Sequence, residues 1–203
     1  MKWDSHIKQY IGKKTKIGRG EYVLDNKQKF HPTVPHELLE LSQELKNSMP
    51  LVQPCFIDTR WFNEFMVHQI FHHTLVVETD KDTLEAVFNK LKERHEHVFL
   101  NPDGQVYEYY IAGTDNAIVV KSLISEAPII NENDLCIPSL EKLLVDILGD
   151  SKLYISQDAE SEVIYETSFH KYTINRSTLK RYARRRNRLN LVESKLKQLN
   201  LEI

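Results

Sequence analysis

Nine histidines are the first residues to weigh for chemistry. His68 and His72 stand four apart, the spacing of one helix face, and His72-His73 and His95-x-His97 add further ring nitrogens. A metal centre built on such a pair needs a carboxylate or cysteine at matching spacing, as in the helical zinc-protease motif. None is present, so no metal site is expected. Val77-Glu78-Thr79-Asp80-Lys81 carries the acid and the lysine found at the end of a nuclease strand, with Asp58 as an upstream acid. Strand alternation puts Glu78 and Lys81 on opposite faces, however, and the acid-x-lysine spacing fails. Gly18-Arg19-Gly20 lacks both the length of a phosphate loop and the helix that follows one. No nucleophile lies beside a base in a defensible pattern. The expectation is therefore no catalytic residue and no cofactor.

Positive charge is the stronger signal. The net charge is only −2, but its distribution is uneven. Residues 1–20 carry six Lys or Arg and one acid, residues 171–198 carry ten and one, and the rest sums to −16. Basic ends around an acidic middle point to nucleic acid at one or both ends, with solvated helix faces as the plainer alternative. At the first end, Lys13, Lys14, Lys16 and Arg19 are the candidate contacts to DNA phosphates. At the second, Arg181, Arg184, Arg185 and Arg188 are candidate contacts to a nucleic acid or a protein partner.

The elements that must position these residues follow from pattern. Residues 2–11 suit a short helix bearing Trp3 and Ile7, and 13–24 form a basic β-prone run ending at an Asp25-Asn26 turn. A short helix followed by a basic hairpin is the back half of a winged helix-turn-helix, in which the hairpin wing touches the DNA backbone. Residues 1–30 are thus expected to be a partial winged helix, 31–54 a linker with a helix at about 36–47, and 55–203 an α/β domain. Within that domain Phe56-Ile57 and Thr74–Thr79 suit strands, the latter of the buried type. Asp82 and Glu85 have capping-box spacing ahead of the stripe Leu84, Val87, Phe88 and Leu91. With His97–Leu100 and Ala117–Leu123 as further strands, a parallel strand–helix–strand unit and a mixed sheet are expected.

The core helix is the most sharply bounded element. Leu140, Leu143, Leu144, Ile147 and Leu148 recur at helical steps, Ser139 stands ready to cap, and Gly149 is placed to close the helix in a left-handed turn. Glu141 and Asp146 on this helix are expected to be solvated or capping residues. The tail from Ile174 suggests one long helix capped by Asn175 or Ser177, with Tyr182 and Leu189 facing the core and Arg184, Arg185 and Arg188 more than half exposed. At 100° per residue Arg186 returns to the apolar side, so it is expected to pair with an acid of the middle region.

Composition sets the remaining bounds. The 203 residues, 41% of them hydrophobic, can build a real core, and 6 Gly with 7 Pro argue against disorder. No apolar run reaches membrane-span length and no signal-peptide pattern is visible. Cys55 and Cys136 are too few for a disulfide framework, so a cytoplasmic protein with no membrane contact is expected.

Three stretches in order resemble the AbiEi-like antitoxin and transcriptional-regulator superfamily. Ile-Gly-Arg-Gly-Glu-Tyr-Val-Leu (17–24) is similar to its wing strand, Pro-Ser-Leu-Glu-Lys-Leu-Leu-Val-Asp-Ile-Leu (138–148) to its core helix, and Ile-Asn-Arg-Ser-Thr-Leu-Lys-Arg-Tyr-Ala-Arg-Arg-Arg (174–186) to its C-terminal motif. The resemblance implies an N-terminal winged helix joined to an α/β antitoxin domain. It further implies an autorepressor that binds operator DNA and neutralises a nucleotidyltransferase toxin encoded beside it. By position, Lys13, Lys14, Lys16 and Arg19 would be wing contacts. Members carry about two further helices of ordinary ~10-residue length ahead of the wing, so the wing unit expected here is partial. The alternative expectation is an interaction protein that uses the α/β domain and basic tail to bind a protein or RNA, without operator recognition.

Overall fold

A computed structural model describes residues 27–201 except 133 and 151, together with the strand backbones of 14–16 and 22–24. The expected helix over 2–11 and the turn at Asp25-Asn26 lie outside the described residues. Strands β1 (Lys14–Lys16) and β2 (Tyr22–Leu24) pair antiparallel, with Lys14 opposite Leu24 and Lys16 opposite Tyr22. A hairpin therefore stands where the sequence placed one.

Next comes α1 (His36–Ser48), which buries Leu38, Leu41 and Leu45 on one stripe, as its i, i+3, i+7 spacing requires. Strand β3 (Cys55–Asp58) ends at a 3₁₀ turn over Thr59–Glu64, where the Asp58 carboxylate accepts from the Arg60 N–H and caps it. Then follow β4 (Thr74–Thr79), α2 (Leu84–Lys92), β5 (Val98–Leu100) and the single turn α3 (Gly104–Val106), which continues as a five-residue π turn over Tyr107–Ile111. Strands β6 (Ala117–Ser122), β7 (Ile129–Glu132) and β8 (Leu135–Pro138) precede the central helix α4 (Leu140–Gly149). Four helices complete the described chain: α5 (Ile155–Ala159), α6 (Ser161–Lys171), α7 (Arg176–Arg185) and α8 (Leu189–Gln198).

Six strands form one mixed sheet in the order β5-β6-β4-β3-β8-β7. Strands β4, β5 and β6 are parallel, β3 runs against β4, β8 runs with β3, and β7 runs against β8. The fold is thus mixed α/β, and β4–α2–β5 is the expected parallel unit, with β6 inserted between its strands. The capping box at Asp82 and Glu85 does not form; the chain enters α2 through a 3₁₀ turn at Lys81–Thr83, with no side chain capping it. Helices cover both faces. Leu75 of β4 and Ile118 of β6 look toward α1, whereas Glu78, three residues on from Leu75, looks toward α4. All six β4 residues are buried, the consequence of being covered on both sides.

Helix α4 departs from the expected amphipathic stripe. Every residue from Leu140 to Ile147 is buried, Glu141, Lys142 and Asp146 included, while Leu148 is only partly so. The face that the sequence assigned to solvent is covered by α7. Gly149 is also corrected. It ends the helix without a left-handed φ, and a Cβ there would stand 3.1 Å from the Arg186 guanidinium carbon. Glycine is needed for that close approach rather than for a turn.

The tail is two helices, not one. Asn175 caps α7 by accepting from the Thr178 N–H. Asn187 then takes φ 54°, a conformation that asparagine tolerates better than most residues, and separates α7 from α8. Among the described residues no helix is long and apolar enough to cross a membrane.

Candidate functional site

Glu78 follows Leu75, Val76 and Val77 in β4, a strand buried along its whole length, and a carboxylate there needs a partner. Lys142 of α4 supplies it, with Nζ 2.6 Å from the Glu78 carboxylate. One helical turn on, at the i+4 spacing that lets side chains meet, Asp146 accepts a hydrogen bond from Lys142 at 2.5 Å. The Tyr182 hydroxyl of α7 donates to Asp146 Oδ1 at 2.9 Å, and its ring lies 5.8 Å from the Lys142 ammonium. Arg186 donates to the same Asp146 oxygen and, at 2.8 Å, to Asp150. Lys121 of β6 donates to the other Asp150 oxygen. The result is a chain of alternating charge, Glu78–Lys142–Asp146–Arg186–Asp150–Lys121, with three acids and three bases. It begins and ends on neighbouring strands, since Glu78 and Lys121 are register partners.

Burial falls along that chain. Side-chain exposure is 3% at Glu78, 0% at Lys142 and 1% at Asp146, but 10% at Arg186, 23% at Asp150 and 17% at Lys121. Burial alone disfavours charge in a group at this depth. It works against the Lys142 ammonium, yet Asp146 and Glu78 outweigh it and hold the lysine well above its usual value. Burial likewise opposes charge on Arg186, and Asp146 with Asp150 overcome it. Asp150 is lowered although burial would raise it, because Lys121 and Arg186 flank it. Burial pushes Glu78 up even beside Lys142. Tyr154, Tyr165 and Tyr182 are all raised, burial first and the Asp146 charge second. Locked cations and raised phenols do not exchange protons near neutral pH. The buried half of the chain orders the core, and the outer half opens toward solvent.

The outer half opens into a cleft of about 490 Å³ at the carboxyl ends of β5 and β6. Lys121, Asp150 and Arg186 line it, together with Lys152 and Arg188. Arg188, expected to be mostly exposed, is half-buried; it donates to the carbonyls of Asn187 and, at 3.4 Å, Gly149, one of the unpaired carbonyls at the end of α4.

The other sequence candidates are scattered. Arg181 and Arg184 are exposed on α7, whereas Arg185, also exposed, pairs with Glu126. Lys14 and Lys16 lie on β1, and Lys13 and Arg19 lie outside the described residues. The expected pairing of Arg186 with middle-region acids is present. Glu141 and Asp146, expected to be solvated or capping residues, are buried partners instead, Glu141 accepting from the Asn175 N–H at 2.7 Å. His68 and His72 do not share a helix face; they pair separately with Glu160 and Asp115, each at 2.8 Å. Among the described residues no three metal-ligating side chains come together. Asp58 and Glu78, the two acids of the nuclease pattern, are engaged by different bases, Arg60 and Lys142.

No curated protein and no solved structure matches the chain. The sequence pattern of a family of unknown function, DUF6577, matches residues 6–202. With nearly its whole length matched, the chain belongs to the DUF6577 family.

Proposed function

We propose that the protein is an antitoxin-like transcriptional regulator of a bacterial toxin–antitoxin system, acting in the cytoplasm. In this reading its basic hairpin contacts operator DNA and its α/β domain belongs to the counteraction of a nucleotidyltransferase toxin. The observation that carries it is how two of the three resembling stretches meet. Glu141 and Asp146 of 138–148 bond Asn175, Tyr182 and Arg186 of 174–186, so residues separated in sequence make one interlocked unit. The third stretch contributes β2 to the hairpin, whose first strand carries Lys14 and Lys16. Phosphate contacts of this kind release counterions, so binding should weaken steeply with salt.

The test has two parts. Co-expression with the adjacent open reading frame should restore growth if that frame encodes the toxin. Replacing Lys13, Lys14, Lys16 and Arg19 by alanine should lower the salt slope of DNA binding by about 1 for each phosphate no longer neutralised. No retention of the unaltered protein on duplex DNA at low salt removes the DNA role. A second reading, an interaction protein that binds a protein or RNA partner, is favoured by Arg181 and Arg184. These are exposed on α7, and neither makes an ion pair among the described residues. Growth rescue that survives the four hairpin substitutions but fails in Arg181→Ala/Arg184→Ala favours that second reading.

A further inference from the structure

We propose that the cleft beside Asp150 is a binding site for a phosphate group. Among the described residues four cations line it, Lys121, Lys152, Arg186 and Arg188, against one carboxylate, Asp150. Lys121 and Arg186 share that carboxylate. Lys152 makes no ion pair among the described residues, and Arg188 reaches only backbone carbonyls. Among the described residues, two positive charges of the lining are thus left without a carboxylate. A single carboxylate ligand would neutralise one of them. A phosphate monoester or diphosphate, with two or more negative charges and several acceptor oxygens, matches both.

The surroundings fit the same chemistry. Lys121 and Arg186 are largely withdrawn from water, and at an effective dielectric of about 20 their attraction for an anion is roughly fourfold that in bulk water. Asn101 and Ser122 stand at the ends of β5 and β6, an amide and a hydroxyl that can bond phosphate oxygens. Asn101 holds φ 43°, a conformation that asparagine adopts more readily than most residues. Val119, Leu153 and Pro102 add apolar lining, and about 490 Å³ suffices for a nucleotide-sized group. The position also follows the topology: ligands of open α/β sheets sit outside the carboxyl ends of parallel strands. The phosphate has two sources, a free nucleotide or the backbone of a nucleic acid.

Calorimetric titration of the full chain at low salt with pyrophosphate, a nucleoside triphosphate and a 12-base-pair duplex tests the site and names the source. Lys152→Gln/Arg188→Gln should weaken binding of the active probe at least about tenfold. Lys197→Gln, which removes one exposed charge from α8 outside the cleft, should leave it within about twofold. Lys152→Glu alters only an exposed side chain and provides the same reading should the double variant fold poorly. A response to pyrophosphate or the triphosphate points to free nucleotide. A response to the duplex alone, absent in the cleft variants, points to backbone phosphate. The proposal is overturned if none of the three probes binds, if the cleft variants bind as the unaltered protein does, or if Lys197→Gln weakens binding as much as they do.

Discussion

Lys142→Met isolates the energetics of the buried charges. The substitution keeps volume and removes one cation from between two carboxylates. Asp146 retains Tyr182 and Arg186 as donors, but Glu78 loses its only ion pair among the described residues. Removing one member of a buried ion pair costs about 3–5 kcal/mol, because the remaining charge is stranded. Glu78 can escape by taking a proton, since burial already raises it with Lys142 in place. In the variant its folded pKa climbs further above the unfolded value of about 4.3. Stability carried by the protonated form is then fully present below that unfolded value and is lost as pH rises through the folded one. The deficit against the unaltered protein should therefore grow between pH 5 and pH 8, by at most ~1.4 kcal/mol per unit. Urea unfolding at both pH values measures it, and Glu78→Gln/Lys142→Met should abolish the extra pH dependence. A deficit below ~1 kcal/mol at pH 8, or one that shrinks as pH rises, would refute the reasoning.

Arg186→Ala should cost about 3–5 kcal/mol by the same logic, while exposed Arg184→Ala should stay within ~0.5 kcal/mol; thermal melts compare them directly. Gly149→Ala should destabilise by about 1–3 kcal/mol, because its Cβ crowds the Arg186 guanidinium at 3.1 Å. In an open helix the same change would gain up to ~1 kcal/mol, so the sign of the shift in urea midpoint decides the point. Glu141→Ala should cost about 1–3 kcal/mol, since it orphans the Asn175 N–H at the start of α7; a loss of only a few tenths would make that contact incidental.

Much of the α/β framework is legible from hydrophobic period. The β-branched run at Thr74–Thr79, the stripe of α2 and the apolar run of α4 all follow from local pattern, and Asn175 signals the start of α7. The roles of Lys142 and Asp146 are not legible that way. At i, i+4 on a helix they have the spacing of an ordinary surface pair, and only the position of α7, 36 residues further along the chain, turns them inward. One clue is present: Glu78 interrupts a strand of buried type, which demands a cation from elsewhere. The break at Asn187 escapes for a related reason. Leu179, Tyr182, Leu189 and Val192 keep a helical rhythm across it, so periodicity alone cannot reveal a turn. The cleft is invisible in the sequence because its cations come from β6, the segment after α4, and the α7–α8 junction, three stretches that only the tertiary fold brings together.

The Asp146–Arg186 contact also orders events during synthesis. Asp146 leaves the ribosome 40 residues ahead of Arg186, about 2–8 s at ordinary elongation rates. Through that interval every strand of the sheet and the whole of α4 exist, but the face of α4 destined for α7 has nothing to cover it. A nascent chain halted before Tyr182 would hold a complete sheet and an unsealed, partly charged apolar surface, the kind of species that chaperones retain. The last helices therefore act as the closing step of folding, and a premature stop codon within them should yield insoluble protein rather than a slightly shortened one.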